Sequence, residues 1–216
     1  MKAQQETPQI SEWTGSFGRE YTDRNPQNAV ALDALYRGNY GVTRRELNQR
    51  FLQTIPSSAR ILEVGCNIGN QLMLLQQLGY ANLHGIEIQS YALEKARQQL
   101  PGAVFTEASA FAIPFPGESF DLVFTSGVLI RIAPADLSRA LDEIHRVAKT
   151  WIWGLEYYAP ASTEIRYRGH NGLLWKNDFA QVYLRRFADL ELVREERLRY
   201  LDNENSDAMF LLRRTV

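Results

Sequence analysis

The sequence predicts an α/β protein: a seven-stranded, mostly parallel sheet with helices on both faces, an antiparallel hairpin at one sheet edge, and a helical lid ahead of the first strand. Three observations predict it. From Ala59 onward, short apolar runs alternate with segments of helical periodicity, the order that builds a parallel sheet covered on both sides. The last two strand-like segments are separated only by the polar residues 202–206, too few for a helical crossover, so they pair as a hairpin. The first 55 residues show helical spacing alone, with Trp13, Phe17, Tyr21 and Tyr36 set among polar residues.

Each element follows in order. Residues 59–65 read as a buried strand, and residues 69–78 as a helix stopped by Gly79. Residues 83–88 form a second strand. Ser90 caps the next helix, which Pro101-Gly102 ends near Leu100. Residues 104–106 and 120–125 are the third and fourth strands. Residues 136–148 are amphipathic, with Leu137, Leu141, Ile144 and Val147 on one face. Residues 151–155 are the fifth strand, residues 177–186 a helix capped by Asn177 or Asp178, and residues 190–198 and 208–213 the closing strands. Upstream, Ala29, Leu32 and Leu35 mark a short helix started by Asn25-Pro26. Leu47, Phe51 and Leu52 mark a second, started by Thr43. The expected division is a lid segment over residues 1–55 and a ligand-binding domain over 56–216.

A length of 216 residues suits one domain with an appendage. The formal net charge of -1 argues against a nucleic-acid face that works by charge. Cys66 is the sole cysteine, so no intrachain disulfide and no thiolate metal site is expected. His84 enters a strand, His145 is expected on the exposed side of a helix, and neither shows metal-ligand spacing with His170 or with paired acids; no metal is expected. The opening MKAQQETPQISEW lacks the basic and apolar regions of a leader, and no apolar run reaches the roughly 18 residues of a membrane span. The expected setting is the cytoplasm, the expected partner a small molecule.

The first strand ends in Glu63-Val64-Gly65-Cys66-Asn67-Ile68-Gly69-Asn70, and a helix follows at once. Glycine there permits a sharp turn and close approach of a ligand, and open α/β sheets bind ligands beyond the carboxyl ends of their strands. Glu87 ends the second strand about 20 residues on, where an acidic side chain accepts hydrogen bonds from ribose hydroxyls. The same residues suit a tight turn with a surface glutamate, but the two features together favour a Rossmann-like cofactor site.

Glu63-x-Gly65-x-x-x-Gly69 resembles the first motif of class I S-adenosylmethionine-dependent methyltransferases. Glu107-Ala108-Ser109-Ala110, the run from Pro114 to Phe124 (P-F-x-x-x-S-F-D-x-V-F), and Thr125-Ser126-Gly127-Val128-Leu129 resemble its later motifs in the same order. Trp13-x-Gly15-x-Phe17-Gly18-x-x-Tyr21-x-x-Arg24-Asn25, Gly127-Val128-Leu129-Ile130 and Tyr167-Arg168-Gly169-His170 are similar to methylases associated with pseudaminic acid biosynthesis. That family usually places histidine after Leu-Ile; here Arg131 stands there.

The resemblance implies S-adenosyl-L-methionine as cofactor. It implies Gly65, Asn67, Gly69 and Asn70 around the aminobutyryl group, Glu63 on its amino group or on the turn, and Glu87 on the ribose. Ile88, Ala108 and Ser109 would flank the adenine, and Thr125 and Ser126 the sulfonium. Tyr21 and Arg24 would reach the cofactor from the lid, Arg24 through its carboxylate. Trp13, Phe17, Arg166 and Arg168 are expected to contact substrate, and Arg131, Tyr157, Tyr158 and His170 to serve the chemistry, the latter three from a long polar loop region after the fifth strand. The leading reading is methylation of a small polar molecule. Two alternatives stand beside it: attack on the aminobutyryl chain with release of methylthioadenosine, by cyclisation or chain transfer, and a non-catalytic cofactor-binding module.

Overall fold

A computed structural model describes residues 7–215. Residues 1–6 of the expected lid segment, and with them the start of the stretch read for a leader, lie outside the described residues, as does Val216.

Seven strands make the sheet: β1 (Arg60–Val64), β2 (Asn82–Glu87), β3 (Val104–Glu107), β4 (Phe120–Ser126), β5 (Ala148–Tyr157), β8 (Leu190–Arg199) and β9 (Ser206–Arg214). Two short strands, β6 (Thr163–Glu164) and β7 (Trp175–Lys176), pair as a separate ribbon. The order across the sheet is β3-β2-β1-β4-β5-β9-β8. The first five are parallel, and β9 runs antiparallel to both its neighbours. The chain winds outward from β1 to β3 and then restarts at β4, so β1 and β4 flank the point where a ligand crevice forms. The expected edge hairpin is present, with β8 rather than the final strand outermost.

The helices α3 (Ala29–Tyr40), α4 (Arg44–Leu52), α5 (Asn70–Gln77) and α6 (Ser90–Gln99) pack on one sheet face; α7 (Pro134–Val147) and α8 (Phe179–Arg186) pack on the other. Thr43 starts α4 through a capping box: its hydroxyl accepts the Glu46 N–H while the Glu46 carboxylate accepts the Thr43 N–H. Two starts and one buried face differ from the sequence reading. Asn28, not Asn25-Pro26, caps α3, because its side chain accepts the Ala31 N–H. Ser90 lies inside α6, its hydroxyl donating to Glu107. In α3 the buried face is Ala29, Leu32 and Tyr36, and Leu35 stands 45% exposed at the mouth of the cavity described below.

The expected lid divides in two. Leu47, Phe51 and Leu52 of α4 are fully buried and share a core with Phe124, Trp153 and Met209 of the sheet, so α3 and α4 belong to the domain itself. Ahead of them lie α1 (Pro8–Thr14) and α2 (Ser16–Arg24), which carry the aromatic residues Trp13, Phe17 and Tyr21. Trp13, Phe17 and Tyr21 follow at i, i+4 and i+8, and their rings meet edge to face at 5.1 and 5.3 Å around Trp13. Among the described residues no helix is long and apolar enough to cross a membrane.

Candidate functional site

The turn after β1 is held open by three left-handed residues: Gly65 (φ +73°), Asn67 (+46°) and Gly69 (+80°). At Gly65 the requirement is double, since a Cβ would also lie 2.6 Å from the Val128 side chain. The Gly65 and Cys66 N–H groups both donate to the Ile86 carbonyl, at 2.8 and 2.9 Å, binding the turn to the end of β2. There Glu87 accepts three backbone N–H bonds: Asn67 at 3.0 Å on one oxygen, and Ile88 at 2.8 Å and Gln89 at 3.1 Å on the other. Burial nonetheless pushes its carboxyl above the usual range, against those three bonds.

Around this turn sit buried acceptors that the protein leaves unpaired. One carboxylate oxygen of Glu63, the Asn70 amide oxygen and the Gln71 amide oxygen all lack a hydrogen-bond partner, and all three residues line one cavity. Burial holds the Glu63 carboxyl well above its ordinary pKa, with the buried Arg44 guanidinium opposing and Glu87 reinforcing the shift. A buried polar group without a partner costs about 1–3 kcal/mol, so a cluster of three acceptors is a site for a donor-rich ligand group.

The cavity holds about 360 Å³. It runs from Glu87, Ala108 and Ser109 over the ends of β2 and β3, past Gly65, to Ser126 at the end of β4, and on to Tyr157 and Asp207 at the far strands. Glu156, fully buried at the end of β5, closes its floor. Its carboxylate accepts the Val128 N–H at 3.1 Å and the Ile130 N–H at 3.4 Å, fixing the loop that carries Arg131, and burial pushes its pKa up to about 7.

The two N-terminal helices roof the Glu87 end of the cavity. Gln89 donates to the Trp13 carbonyl at 2.9 Å, Thr22 donates to Gln89 at 3.2 Å, and Asn67 of the turn donates to Thr22 at 2.9 Å. Asp23 takes Lys95 and Tyr91 of α6, each at 2.7 Å. Arg131 reaches up between roof and floor. Its guanidinium lies over the rings of Trp13, Tyr21 and Tyr167 at 4.3, 4.5 and 5.2 Å, its Nε donates to the Gly127 carbonyl, and its buried Nη1 is unpartnered.

The structure thus brings Trp13, Tyr21, Glu63, Gly65, Asn67, Asn70, Glu87, Ile88, Ala108, Ser109, Ser126, Arg131 and Tyr157 to one cavity. Others fall outside its lining. Arg24 turns to Glu20, one helical turn earlier, in an exposed pair at 3.5 Å, because the nearer partner wins. Tyr158 is covered by the Arg197 guanidinium, 3.4 Å from its ring centre. Phe17 packs on Tyr167 and His170, supporting the roof from behind. His170, Arg166 and Arg168 stand exposed on the loop beyond, Arg166 bonded to the Gly169 carbonyl. Gly69 shapes the turn without facing the cavity, and the Thr125 hydroxyl is spent on Glu156. His145 is not on the exposed side of its helix: it stacks flat on Phe187 at 4.0 Å and bonds Asp189. Among the described residues no group of three or more His, Cys, Asp or Glu side chains could hold a metal ion.

Sequence reasoning missed Thr22 and Gln89, which tie the roof to the turn, and Tyr36, Tyr40, Tyr200 and Asp207 at the far end. The Trp13, Phe17, Tyr21 spacing was a helix signal that could have found the first two. Nothing local distinguishes Asp207 from the polar loop before it.

Residues 62–150 match the methyltransferase domain family. Over 95 residues the chain is 33% identical to an uncharacterised methyltransferase of Synechocystis, covering 44% of each. Over 100 residues it is 34% identical to a trans-aconitate 2-methyltransferase of Paracidovorax citrulli, covering 44% of this chain and 38% of that one. The chain therefore aligns with less than half the length of these curated relatives. Among solved structures it is similar to a geranyl diphosphate C-methyltransferase of Streptomyces coelicolor (TM-score 0.72, 11% identity, 97% and 98% of the two chains). It is also similar to the [4+2]-cyclase SpnF (TM-score 0.70, 17% identity, 92% and 95%). At such identities the likeness is one of fold, and the cyclase marks that this fold carries more than one chemistry.

Proposed function

We propose that the chain is a class I S-adenosylmethionine-dependent methyltransferase, and that it methylates a small polar molecule with S-adenosylmethionine as donor; the match of residues 62–150 to the methyltransferase domain family supports this reading. The observation that carries the reading is the Glu87 carboxylate, bonded to the Asn67 N–H of the glycine turn and facing the same cavity as the three unpaired acceptors of Glu63, Asn70 and Gln71. That set of acceptors fits the cofactor: Glu87 for the ribose hydroxyls and the three unpaired oxygens for the amino group, with Ile88, Ala108 and Ser109 for the adenine and Gly65 for close approach of the chain.

When bound, the cofactor supplies an electrophilic methyl carbon on a sulfonium. The protein's part is positioning and exclusion of water. Glu156 holds the Val128 to Ile130 backbone so that the strand ends at β4 and β5 keep their spacing. Arg131, clasped by Trp13, Tyr21 and Tyr167, locks α1 and α2 over the site and offers its free Nη1 to an anionic group inside. The segment α1–α2 is the lid.

The test is product analysis on the full chain incubated with S-adenosylmethionine and candidate small-molecule acceptors. S-adenosylhomocysteine released in step with a methylated acceptor supports the proposal. Methylthioadenosine as the product would replace it with transfer or cyclisation of the aminobutyryl chain. Tight cofactor binding with neither product would leave a binding module.

A further inference from the structure

Four strand positions from the Glu87 end, the cavity closes on a further carboxylate. Asp207, at the start of β9, is 3% exposed. Its Oδ2 accepts Tyr40 of α3 at 2.6 Å and Tyr200 of β8 at 3.5 Å, whereas its Oδ1 is buried, lacks a partner, and belongs to a residue that lines the cavity. Tyr157 lies directly across the strand pair from it. The three rings form a continuous wall, with Tyr40 and Tyr200 meeting at 4.8 Å and Tyr157 and Tyr200 at 6.3 Å.

We propose that this end of the cavity is a substrate subsite for a positively charged amine, received by the free Asp207 oxygen within the wall of Tyr40, Tyr157 and Tyr200. The proposal rests on the reading of the cavity as a methyltransferase site and names its substrate class.

Charge and geometry select the ligand. A buried carboxylate oxygen with no partner calls for a donor and repels an anion. Among the described residues no ion pair within 4 Å reaches Asp207; Lys176 and Arg44 act on it only at longer range, and its Oδ1 is left without a contact partner. Phenol rings add attraction for a cation at their faces, and the Lys176 ammonium already lies 5.7 Å from the Tyr157 ring centre. Arg44, a buried cation nearby, donates to Asn48 and Tyr36, stacks over Tyr36 and Trp153 and keeps one buried Nη2 without a partner, and its charge acts on Glu63 as well as on Asp207. The groups acting on Asp207 are Tyr40 from α3, Tyr200 from β8, Tyr157 from β5, Lys176 from β7 and Arg44 from α4. Burial pushes its carboxyl up to about 6 while the two phenols pull it down, so it is ionised near neutral pH.

The test uses three isosteric probes on the full chain, followed by calorimetry: benzylammonium, benzyl alcohol and benzoate. Benzylammonium should bind saturably and at least tenfold more tightly than either of the others, and should weaken as pH falls through about 6. Asp207→Asn keeps an acceptor for Tyr40 and should reduce benzylammonium affinity on the order of tenfold or more, the loss expected for a charged hydrogen bond. S-adenosylhomocysteine affinity, measured on the same samples, should not change. Equal binding of the alcohol or the benzoate, no benzylammonium binding, or an affinity indifferent to Asp207→Asn would overturn the subsite. If the variant does not fold, wild-type affinity that stays constant from about pH 7.5 to about pH 5.5 would overturn it instead. Loss of S-adenosylhomocysteine binding in the wild-type chain would fall on the methyltransferase reading alone.

Discussion

Gly18→Ala should loosen the roof of the site even though it improves a helix. Alanine in place of glycine inside a helix is worth up to about 1 kcal/mol, so propensity alone predicts a more stable protein. The structure predicts the reverse. A Cβ on Gly18 would lie 1.9 Å from the Trp13 carbonyl oxygen and 2.5 Å from the Gln89 side-chain nitrogen. The first neighbour is backbone and cannot rotate away, so α1 must move from α2, or both from Gln89. The movement breaks the Gln89 to Trp13 bond and strains the Thr22 to Gln89 bond, which links to Asn67 of the cofactor turn. Two hydrogen bonds at about 1 kcal/mol each, with overpacking of about 1–3 kcal/mol, outweigh the helix gain by at least about 2 kcal/mol. That is on the order of a thirtyfold shift toward the undocked segment. Hydrogen exchange of residues 8–24 reads it directly: protection there should fall, protection in β1, β4 and β5 should not, and S-adenosylhomocysteine should bind more weakly. A raised Tm with unchanged exchange and affinity would refute the docking argument and leave Gly18 a helix position like any other.

Glu87→Ala removes the proposed ribose acceptor together with the acceptor of three backbone N–H groups, so the S-adenosylhomocysteine Kd should rise roughly a hundredfold by calorimetry; an unchanged Kd would remove Glu87 from the cofactor site. Glu156→Gln tests the buried floor. Burial pushes the folded carboxyl up to about 7 from an ordinary value of 4.5, so the wild type loses stability as pH rises between those values and a neutral glutamine does not. The stability of the variant relative to wild type should therefore climb by up to about 3 kcal/mol between about pH 5 and about pH 8, and a difference that ignores pH would show that Glu156 is not held in a disfavoured charge state.

How legible the protein was depends on how local its signals are. Gly65, Asn67 and Glu87 lie within one strand-helix-strand unit, where the chemistry of a turn is written in adjacent residues. Thr43 and Glu46 likewise spell their capping box three residues apart. Arg24 misled because a lone arginine beside aromatic residues looks like an anion clamp, while Glu20 four residues earlier had already claimed it. Tyr40 and Asp207 are 167 residues apart, and they meet because β9 inserts between β5 and β8 instead of adding at the edge. No periodicity announces such an insertion. A hairpin at the edge and a strand inside it produce the same alternation in sequence.

The two ends of the cavity are also built differently. At the Glu87 end, proposed for the cofactor, backbone and turn geometry dominate: Glu87 is set by three backbone N–H groups and Gly65 by a left-handed φ. Glu63, Gly65, Asn67, Asn70, Glu87, Ser109 and Ser126 all lie between residues 62 and 150, the stretch that matches the methyltransferase domain family. At the far end, side chains dominate, and Tyr36, Tyr40, Tyr157, Tyr200 and Asp207 all lie outside that stretch. A donor common to many enzymes needs one cradle, which a continuous βαβ segment supplies. An acceptor particular to one enzyme needs a surface that can vary without disturbing that cradle. Helices ahead of β1 and strands beyond β5 meet this condition, since their side chains enter the cavity while their backbones take no part in the turn. Substitutions at Tyr40, Tyr200 or Asp207 should therefore change which acceptor is held while leaving the cofactor end intact, and the separation of those two effects is what the paired affinities of the amine probe and S-adenosylhomocysteine measure.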